Sequence, residues 1–400
     1  MWYFFRLACV LLLLVPAPAV SGGIQSMGGS HSIGQLIGDS DSVAVAAPGG
    51  EIVYAKNADK TLVPASILKI PTALTAFSHL GPDYRFPTEF YMDEAGNLVI
   101  KGYGDPFLVS EAVSAIAGEL AGRLDAVNDL LMDGSYFDNV VIPGVAAAST
   151  RSYDAPVGAL CVNFNTVFFE KKDGALVSAE PQTPLLPTAK KRIRMLDETG
   201  GRVMLSSDRR EISQYAGELF AHFLEQNGVE INGEIRQASF SKDDTDGLSL
   251  LYRHESDIDL SEMVYRMMKY SNNFVANQIL LAAGAKAYGA PATLEKGVRS
   301  AKEYARGLGI EPDIAEGSGI SRENRVTAEM MIALLDAFAP HYELLQKRER
   351  VYFKTGTLDG IRTRAGYIEG KDGVLYRFVV MINTRDKPAE PVVDRIERAF

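Results

Sequence analysis

The segment Pro64-Ala65-Ser66-Ile67-Leu68-Lys69 opens an apolar helical pattern that extends to about Leu80. Residues three apart on a helix lie on one face, so the Ser66 hydroxyl and the Lys69 amine come within hydrogen-bonding reach. A serine becomes an effective nucleophile when a base takes its proton, and a lysine can be that base when burial or nearby cations lower its pKa. The segment therefore predicts an activated serine at a helix N-terminus, where backbone N–H groups favour a developing oxyanion.

Two further motifs follow along the chain. Ser271-Asn272-Asn273 lies between two helical patterns, and Lys354-Thr355-Gly356-Thr357 ends a β-like run. A lysine and two hydroxyls on a strand edge can hold a carboxylate, and Gly356 lets another group approach the strand closely. Each motif alone has an ordinary explanation, such as helix capping, and the Ser-x-x-Lys spacing recurs in the polar stretch from Ser239 to Lys242. The order of the three motifs is nevertheless that of the penicillin-interacting serine enzymes.

The chain resembles one branch of these enzymes, the class C low-molecular-mass penicillin-binding proteins, which are periplasmic D-alanyl-D-alanine carboxypeptidases and endopeptidases. The resemblance covers essentially the whole mature chain, including the wide spacing between the first two motifs. The chain departs from the family at Glu316, where Asp is usual. It also departs in the stretch from Ala175 to Ser206, which is short for the family's nested domain. The stretches that carry it are Pro64-Ala65-Ser66, Gly104-Asp105-Pro106, Tyr270 to Asn273 and Gly317 to Thr327.

The resemblance implies a reaction and roles for the motif residues. Ser66 is expected to attack the bond between the last two D-alanines of a peptidoglycan stem peptide, with Lys69 as base. Ser271 is expected to relay a proton to the leaving amine, and Asn273 to orient the relay and the substrate amide. The strand motif, Lys354, Thr355, Gly356 and Thr357, is expected to bind the substrate carboxylate. β-Lactams are expected to trap Ser66.

Two residues outside the three motifs keep alternative interpretations. Asp105 either faces the free amine of the diamino acid in the stem peptide or forms a turn before proline. Ser318 either shapes a tight turn near the site or takes a direct part in the chemistry.

The first 22 residues have the pattern of a cleaved signal peptide. Arg6 precedes an apolar run from Leu7 to Val15, and small residues follow, so cleavage is expected between about Ala19 and Gly23. The run is too short to span a bilayer, so the mature chain is expected in the periplasm without a membrane span. It would keep one cysteine, Cys161, which is interpreted as a buried structural thiol.

Composition narrows the possible partners. The formal net charge of -10 argues against a nucleic-acid surface. No His-Glu-x-x-His or paired-cysteine spacing indicates a metal site, and no phosphate loop or dinucleotide fingerprint indicates a cofactor. The oligomeric state is left open.

The pattern along the chain predicts an α/β (α+β) fold. Strands near both termini with helices between them indicate one sheet built from the two ends of the chain. The family implies an antiparallel sheet flanked by helices, the penicillin-binding or serine β-lactamase-like transpeptidase domain, with a large, mostly β insertion. The expected division is a catalytic domain over 23–85 and 239–400 and an inserted α+β domain over 86–238.

Two other functions stay open from sequence. A β-lactam- or peptidoglycan-binding sensor would acylate without turning over, and the same motif residues would serve it. A Ser-His esterase is the other alternative, although the chain holds only five histidines and lacks a Gly-x-Ser-x-Gly elbow. Sequence also leaves open the balance between carboxypeptidase and endopeptidase action.

Overall fold

The computed structural model describes residues 33–146, 149–240 and 247–400. The predicted signal peptide, residues 1–22, lies outside this part of the chain. No helix in the described part is long and apolar enough to cross a membrane.

Strands and helices alternate through the described residues. The strands are β1 Asp41–Ala46, β2 Ile52–Lys56, β3 Pro87–Asp93, β4 Leu98–Gly102, β5 Ala126–Val127, β6 Leu130–Asp133, β7 Thr166–Lys172, β8 Ala175–Ser178, β9 Gly200–Met204, β10 Glu230–Ile231, β11 Ile235–Ala238, β12 Leu248–Glu255, β13 Gln346–Arg348, β14 Val351–Leu358, β15 Ile361–Glu369 and β16 Leu375–Ile382. The helices are α1 Lys69–Leu80, α2 Ser110–Ala121, α3 Pro187–Arg194, α4 Arg209–Gln226, α5 Leu260–Tyr270, α6 Asn273–Tyr288, α7 Leu294–Gly307, α8 Ala328–Phe338 and α9 Glu390–Ala399.

A six-stranded antiparallel sheet joins the two ends of the described chain, as the sequence predicts. Its order is β13-β14-β15-β16-β1-β2, so β1 pairs with β16 near the C-terminus. Side chains alternate across each strand, so Val43 and Val45 face a core that includes α9, whereas Ala44 and Ala46 face the core beneath α1, α6 and α8. The sheet is therefore covered by helices on both faces.

The helix that carries Lys69 begins after a short 3-10 turn, Ala65–Leu68. Pro71 occupies the first turn of α1, where a missing N–H costs no intrahelical hydrogen bond. Pro71 thus lies just after the point where the 3-10 turn gives way to the α-helix. Ser66 lies in the turn and Lys69 at the start of the helix.

The inserted segment is mixed rather than mostly β. A five-stranded sheet, in the order β11-β6-β4-β3-β12, shares a core with α2 and α4, and a separate three-stranded sheet is formed by β7, β8 and β9. The 18-residue helix α4 is an element that the predictions above do not include. Its buried residues Ile212, Tyr215, Ala216, Leu219 and Phe220 recur at helical spacing, and Asp208 caps its N-terminus, so the signal was present.

The chain enters the inserted segment and leaves it at neighbouring points. The backbone N–H of Ser256 donates to the carbonyl of Phe86 over 2.9 Å. Strand β12 pairs with β3 in the sheet of the insertion, although it follows the predicted boundary at 238/239. The predicted domain division stays a prediction, and we propose that its second boundary lies nearer residue 256.

Candidate active site

A cleft of about 790 Å³ opens beside the six-stranded sheet, and Ser66 lines it. Residues from all three sequence motifs contribute to its wall. The lining includes Ser66, Tyr153, Ser271, Asn273, Gly319 and Thr357.

The backbone around Ser66 is held from two sides. Ala65 adopts a left-handed φ of 50°, a conformation that is costly for a residue with a side chain. A Cβ added to Gly356 would lie 3.0 Å from Ser66 N and 2.1 Å from Thr363 Oγ1. A Cβ added to Gly319 would lie 1.9 Å from the Ala65 carbonyl oxygen. Only glycine therefore lets the strand and the turn approach the nucleophile this closely.

The amine of Lys69 is completely buried and lies between three acceptors. It donates to the Ser66 hydroxyl over 3.2 Å, to Asn273 Oδ1 over 2.8 Å and to the Ser318 carbonyl over 2.7 Å. Burial, assisted by the positive charge of Lys354, holds the pKa of Lys69 well below its usual range, against the opposing charge of Glu316. In its neutral form the amine has two N–H groups, for Asn273 Oδ1 and the Ser318 carbonyl, and its lone pair can accept the proton of Ser66.

A second buried lysine lies close to Ser271. The amine of Lys354 donates to Ser271 Oγ over 2.9 Å and to the Thr355 carbonyl over 2.7 Å. Ser271 ends helix α5 in a left-handed conformation, with φ 52°. Burial lowers the pKa of Lys354 to about 7, and the nearby Arg364 adds to this effect.

The loop after Ser271 fixes Asn273. The Asn272 side chain accepts from Val275 N and caps α6. Asn273 accepts from Lys69 and donates to the Tyr153 carbonyl over 3.2 Å. The structure thus brings the five residues into two hydrogen-bonded groups. One holds Lys69, Ser66 and Asn273, and the other holds Lys354 and Ser271.

Strand β14 presents an open edge to the cleft. Its neighbour β13 pairs only with Val351, Tyr352 and Phe353, whereas β15 pairs along the whole strand. Beyond Phe353 the described chain places no strand on that side, and an extended peptide can bind to such an edge. Thr357 is exposed and lines the cleft, but Thr355 is not among the lining residues.

Glu316 holds the turn that binds Lys69, a role that its departure from the family's usual Asp did not predict. Its buried carboxylate accepts from Ser318 N and Ser318 Oγ over 2.7 and 2.6 Å, and from Gly319 N over 2.7 Å. It also accepts from the side chains of Asn277 and Asn324. These bonds fix the turn whose carbonyl binds Lys69, so Ser318 shapes this turn.

Asp105 is not brought to the cleft. Its side chain is buried, Oδ1 accepts from Phe107 N over 2.8 Å, and Oδ2 has no hydrogen-bond partner among the described residues. Burial raises the pKa of Asp105 to about 7, with Phe107 N opposing and Asp257 adding to the shift. These contacts favour a turn residue over a contact with the substrate amine.

Other nucleophile and ligand candidates lie away from the cleft. Cys161 is buried, accepts from Asn165 Nδ2, and has a pKa that burial raises to about 12. No histidine of the described chain lines the cleft. Within the same residues, no group of His, Cys, Asp and Glu has the arrangement of a metal site.

Comparison with known proteins identifies the family. The sequence model of the D-Ala-D-Ala carboxypeptidase 3 (S13) family matches residues 34–199 and 177–349. A D-alanyl-D-alanine carboxypeptidase from Actinomadura sp. (strain R39) is 28% identical over an alignment of 416 positions, gaps included, that covers 85% of this chain and 77% of that protein. The D-alanyl-D-alanine carboxypeptidase DacB of Haemophilus influenzae is 24% identical, with 83% of each chain covered.

Solved structures agree with this assignment at the level of the fold. Penicillin binding protein 4 (dacB) from Haemophilus influenzae superposes with a TM-score of 0.75 and 21% identity, over 92% of this chain and 97% of that chain. A peptidoglycan endopeptidase from Bdellovibrio bacteriovorus superposes with a TM-score of 0.54 and 17% identity, over 89% and 90% of the two chains. The chain therefore belongs to the D-Ala-D-Ala carboxypeptidase 3 (S13) family, and it is a low-molecular-mass class C penicillin-binding protein and a serine hydrolase.

Proposed function

We propose that this chain is exported to the periplasm and hydrolyses the bond between the last two D-alanines of peptidoglycan stem peptides, through an acyl-enzyme on Ser66. The observation that carries the proposal is the contact between the buried amine of Lys69 and the Ser66 hydroxyl, over 3.2 Å. Family membership supports the substrate class, because the relatives are D-alanyl-D-alanine carboxypeptidases.

Acylation begins when Lys69 takes the proton of Ser66. The Ser66 oxygen attacks the carbonyl carbon, and the oxyanion forms beside the backbone N–H groups of Ser66 and Thr357. The lowered pKa of Lys69 supports this role, because the amine must be neutral to accept a proton.

The leaving amine needs a proton in return. Ser271 relays it, and Lys354 holds the Ser271 hydroxyl over 2.9 Å. Asn273 orients the relay through its bond to Lys69 and binds the substrate amide. Lys354 and Thr357 hold the terminal carboxylate, and Gly356 lets the strand approach Ser66. Water then hydrolyses the ester.

β-Lactams are proposed to acylate the same serine because they present a reactive amide beside a carboxylate. Two solved relatives of the fold contain β-lactam groups: the Haemophilus influenzae protein complexed with a novel β-lactam, and a penicillin G-acylated Bdellovibrio endopeptidase. The same acylation without hydrolysis would make the chain a sensor, so turnover has to be measured as well as labelling.

The test is labelling with a fluorescent penicillin followed by peptide mass spectrometry. We expect one adduct, on Ser66, that is absent from Ser66→Ala and persists in Ser239→Ala, the matched control from the second Ser-x-x-Lys sequence. Release of D-alanine from a pentapeptide should also disappear in Ser66→Ala and persist in Ser239→Ala. An adduct that survives Ser66→Ala would refute the proposed nucleophile, and labelling without D-alanine release would favour the sensor.

A further inference from the structure

The chain that leads into Ser66 is held at three successive residues, Leu62, Val63 and Pro64. Leu62 forms two backbone hydrogen bonds with Val326, of 2.9 and 3.0 Å, in a short antiparallel bridge. The next two residues are held by side chains, and neither of these side chains has a role in the reaction described above. All three residues are buried, so water does not readily replace a lost partner.

The side chain of Asn383 binds both backbone groups of Val63. Its Oδ1 accepts from Val63 N over 3.0 Å, and its Nδ2 donates to the Val63 carbonyl over 3.2 Å. Asn383 follows strand β16, and its own backbone N–H donates to the buried Asp41 Oδ1, at the start of β1, over 3.1 Å. The side-chain amide thus ties Val63 to the end of the β1–β16 pair.

The hydroxyl of Thr363 binds the next residue along the chain. Thr363 lies in β15, is completely buried, and donates from Oγ1 to the Pro64 carbonyl over 2.7 Å. Its partner in β14 is Gly356, and a Cβ there would lie 2.1 Å from Thr363 Oγ1. The hydroxyl therefore fixes the Pro64 carbonyl against the sheet, two residues before the nucleophile.

Ala65 lies between these two contacts and the nucleophile, with its left-handed φ of 50°. This conformation is unfavourable for a residue with a Cβ and persists only where the surroundings hold it. The bonds to Val63 and Pro64 hold one side of Ala65, and the close approach of Gly319 to its carbonyl holds the other. The peptide group after Ala65 carries the Ser66 N–H, so relaxation at Ala65 would turn that N–H away.

We propose that Thr363 and Asn383 are positioning residues for the nucleophile. They hold Ala65 in its left-handed conformation and thereby aim the Ser66 hydroxyl and the Ser66 N–H at the same substrate carbonyl group. The inference rests on the proposed function, in which that N–H binds the oxyanion. Neither Thr363 nor Asn383 lines the cleft, so their loss should slow the covalent step and leave the binding of substrate unchanged.

The experiment measures kcat and KM for D-alanine release from a pentapeptide. Thr363→Ala and Thr363→Ser differ by one oxygen atom, so their comparison isolates the hydroxyl. We expect Thr363→Ala to lower kcat about 30-fold at an unchanged KM, because small displacements of a nucleophile and an oxyanion donor slow the covalent step. Thr363→Ser keeps the donor for the Pro64 carbonyl and should stay within about threefold of the wild type.

Thr75→Ala is the matched control. Thr75 is also buried, and its hydroxyl also donates to a proline carbonyl, that of Pro71, over 2.8 Å, but it does so within helix α1. Fluorescent penicillin labelling carried to completion counts the folded, active molecules in each preparation. Partial unfolding lowers this total, whereas a positioning role lowers kcat per labelled molecule. That kcat should be normal in Thr75→Ala.

Two further variants test the connection through Ala65. Asn383→Ala should lower kcat per labelled molecule about tenfold, so the inference stays testable if Thr363→Ala does not fold. Glycine adopts the left-handed conformation without the penalty of a Cβ. Adding Ala65→Gly to Thr363→Ala should therefore restore kcat at least about threefold.

The outcomes separate this inference from the proposed function. Equal kcat values in Thr363→Ala and Thr363→Ser, a loss of the same size in Thr75→Ala, or no recovery with Ala65→Gly would overturn the positioning role. Normal kcat in both Thr363→Ala and Asn383→Ala would overturn this inference alone. Wild-type protein that is not labelled on Ser66 would refute the proposed function itself.

Discussion

The amine of Lys354 lies 2.9 Å from the hydroxyl of Ser271, 83 residues earlier in the chain. A strand residue and a helix-ending residue thus meet at the hydroxyl that we propose as the proton relay. Lys69 makes the equivalent connection to Asn273 over 2.8 Å. The two buried lysines have lowered pKa values for the same main reason, burial of the charged form.

The activity should therefore have a bell-shaped pH dependence. Protonated Lys69 cannot act as base, so kcat/KM should rise with pH through its lowered pKa. Lys354 loses its charge above a pKa of about 7 in the free enzyme, so carboxylate binding should weaken at higher pH. The measurement is kcat/KM for D-alanine release between about pH 4 and 10.

The matched variant for this profile is Lys354→Arg. Arginine stays charged throughout the range, so the alkaline limb should vanish even if the rate is lower overall. A wild-type rate that keeps rising to about pH 10 would contradict the role of Lys354 as a charged carboxylate ligand.

Glu316→Gln should slow the reaction and shift the acid limb of its pH–rate profile. The amide nitrogen of glutamine cannot accept the hydrogen bonds of Ser318 and Gly319, so we expect a loss of about 2–4 kcal/mol in unfolding free energy. The negative charge of Glu316 raises the pKa of Lys69, so its removal should move the acid limb of the penicillin acylation rate to lower pH.

Glu316→Asp keeps the charge and serves as the control. Its acid limb should stay close to that of the wild type, even if the shorter side chain reduces stability. A shift that is equal in both variants would show that packing, and not charge, connects residue 316 to Lys69.

Gly356→Ala should strongly slow the acylation of Ser66. The new methyl group would lie 2.9 Å from the Pro64 carbonyl and 3.0 Å from Ser66 N, so the strand has to move away from the nucleophile. We expect the penicillin acylation rate to fall by at least about 100-fold, since misplacement of about 1 Å can cost that much. Gly307→Ala is the control, because a Cβ added at Gly307 meets nothing within 4 Å. If Gly356→Ala were acylated nearly as fast as Gly307→Ala, the prediction would be wrong.

Asp105→Asn should stabilise the protein at neutral pH. The folded pKa of about 7 is above the ordinary value of 3.8, so the carboxyl group binds its proton more tightly in the folded state. Its contribution to stability is present at acid pH and is lost as the pH rises from about 4 to 7. Asparagine keeps the acceptor for Phe107 N and cannot ionise, so at pH 8 we expect a gain of about 1–3 kcal/mol in unfolding free energy.

Chemical denaturation at pH 4 and pH 8 measures this gain, which should be present only at the higher pH. D-Alanine release from a stem peptide with a free diamino acid amine should be unaffected if Asp105 is a turn residue. A selective rise in KM for that peptide would restore Asp105 as a substrate contact.

Local patterns determined much of the fold. The hairpin of β1 and β2 follows from alternating residues around Pro48-Gly49-Gly50, and helix α1 follows from the apolar pattern after Ser66. The sheet formed by both ends of the chain could be predicted because strands occur near each terminus. The three motifs could also be identified from the sequence, since their order and spacing are visible without coordinates.

Tertiary structure decided what depends on burial and on contacts between distant residues. The Lys69–Ser318 bond joins residues 249 positions apart, and no local pattern predicts it. Whether Asp105 faced substrate or the interior, and how far the pKa of each lysine falls, depended on the surrounding packing, because desolvation acts on the charged form of a group. The residue types of the site are therefore set by the sequence, and their protonation and alignment by the fold around them.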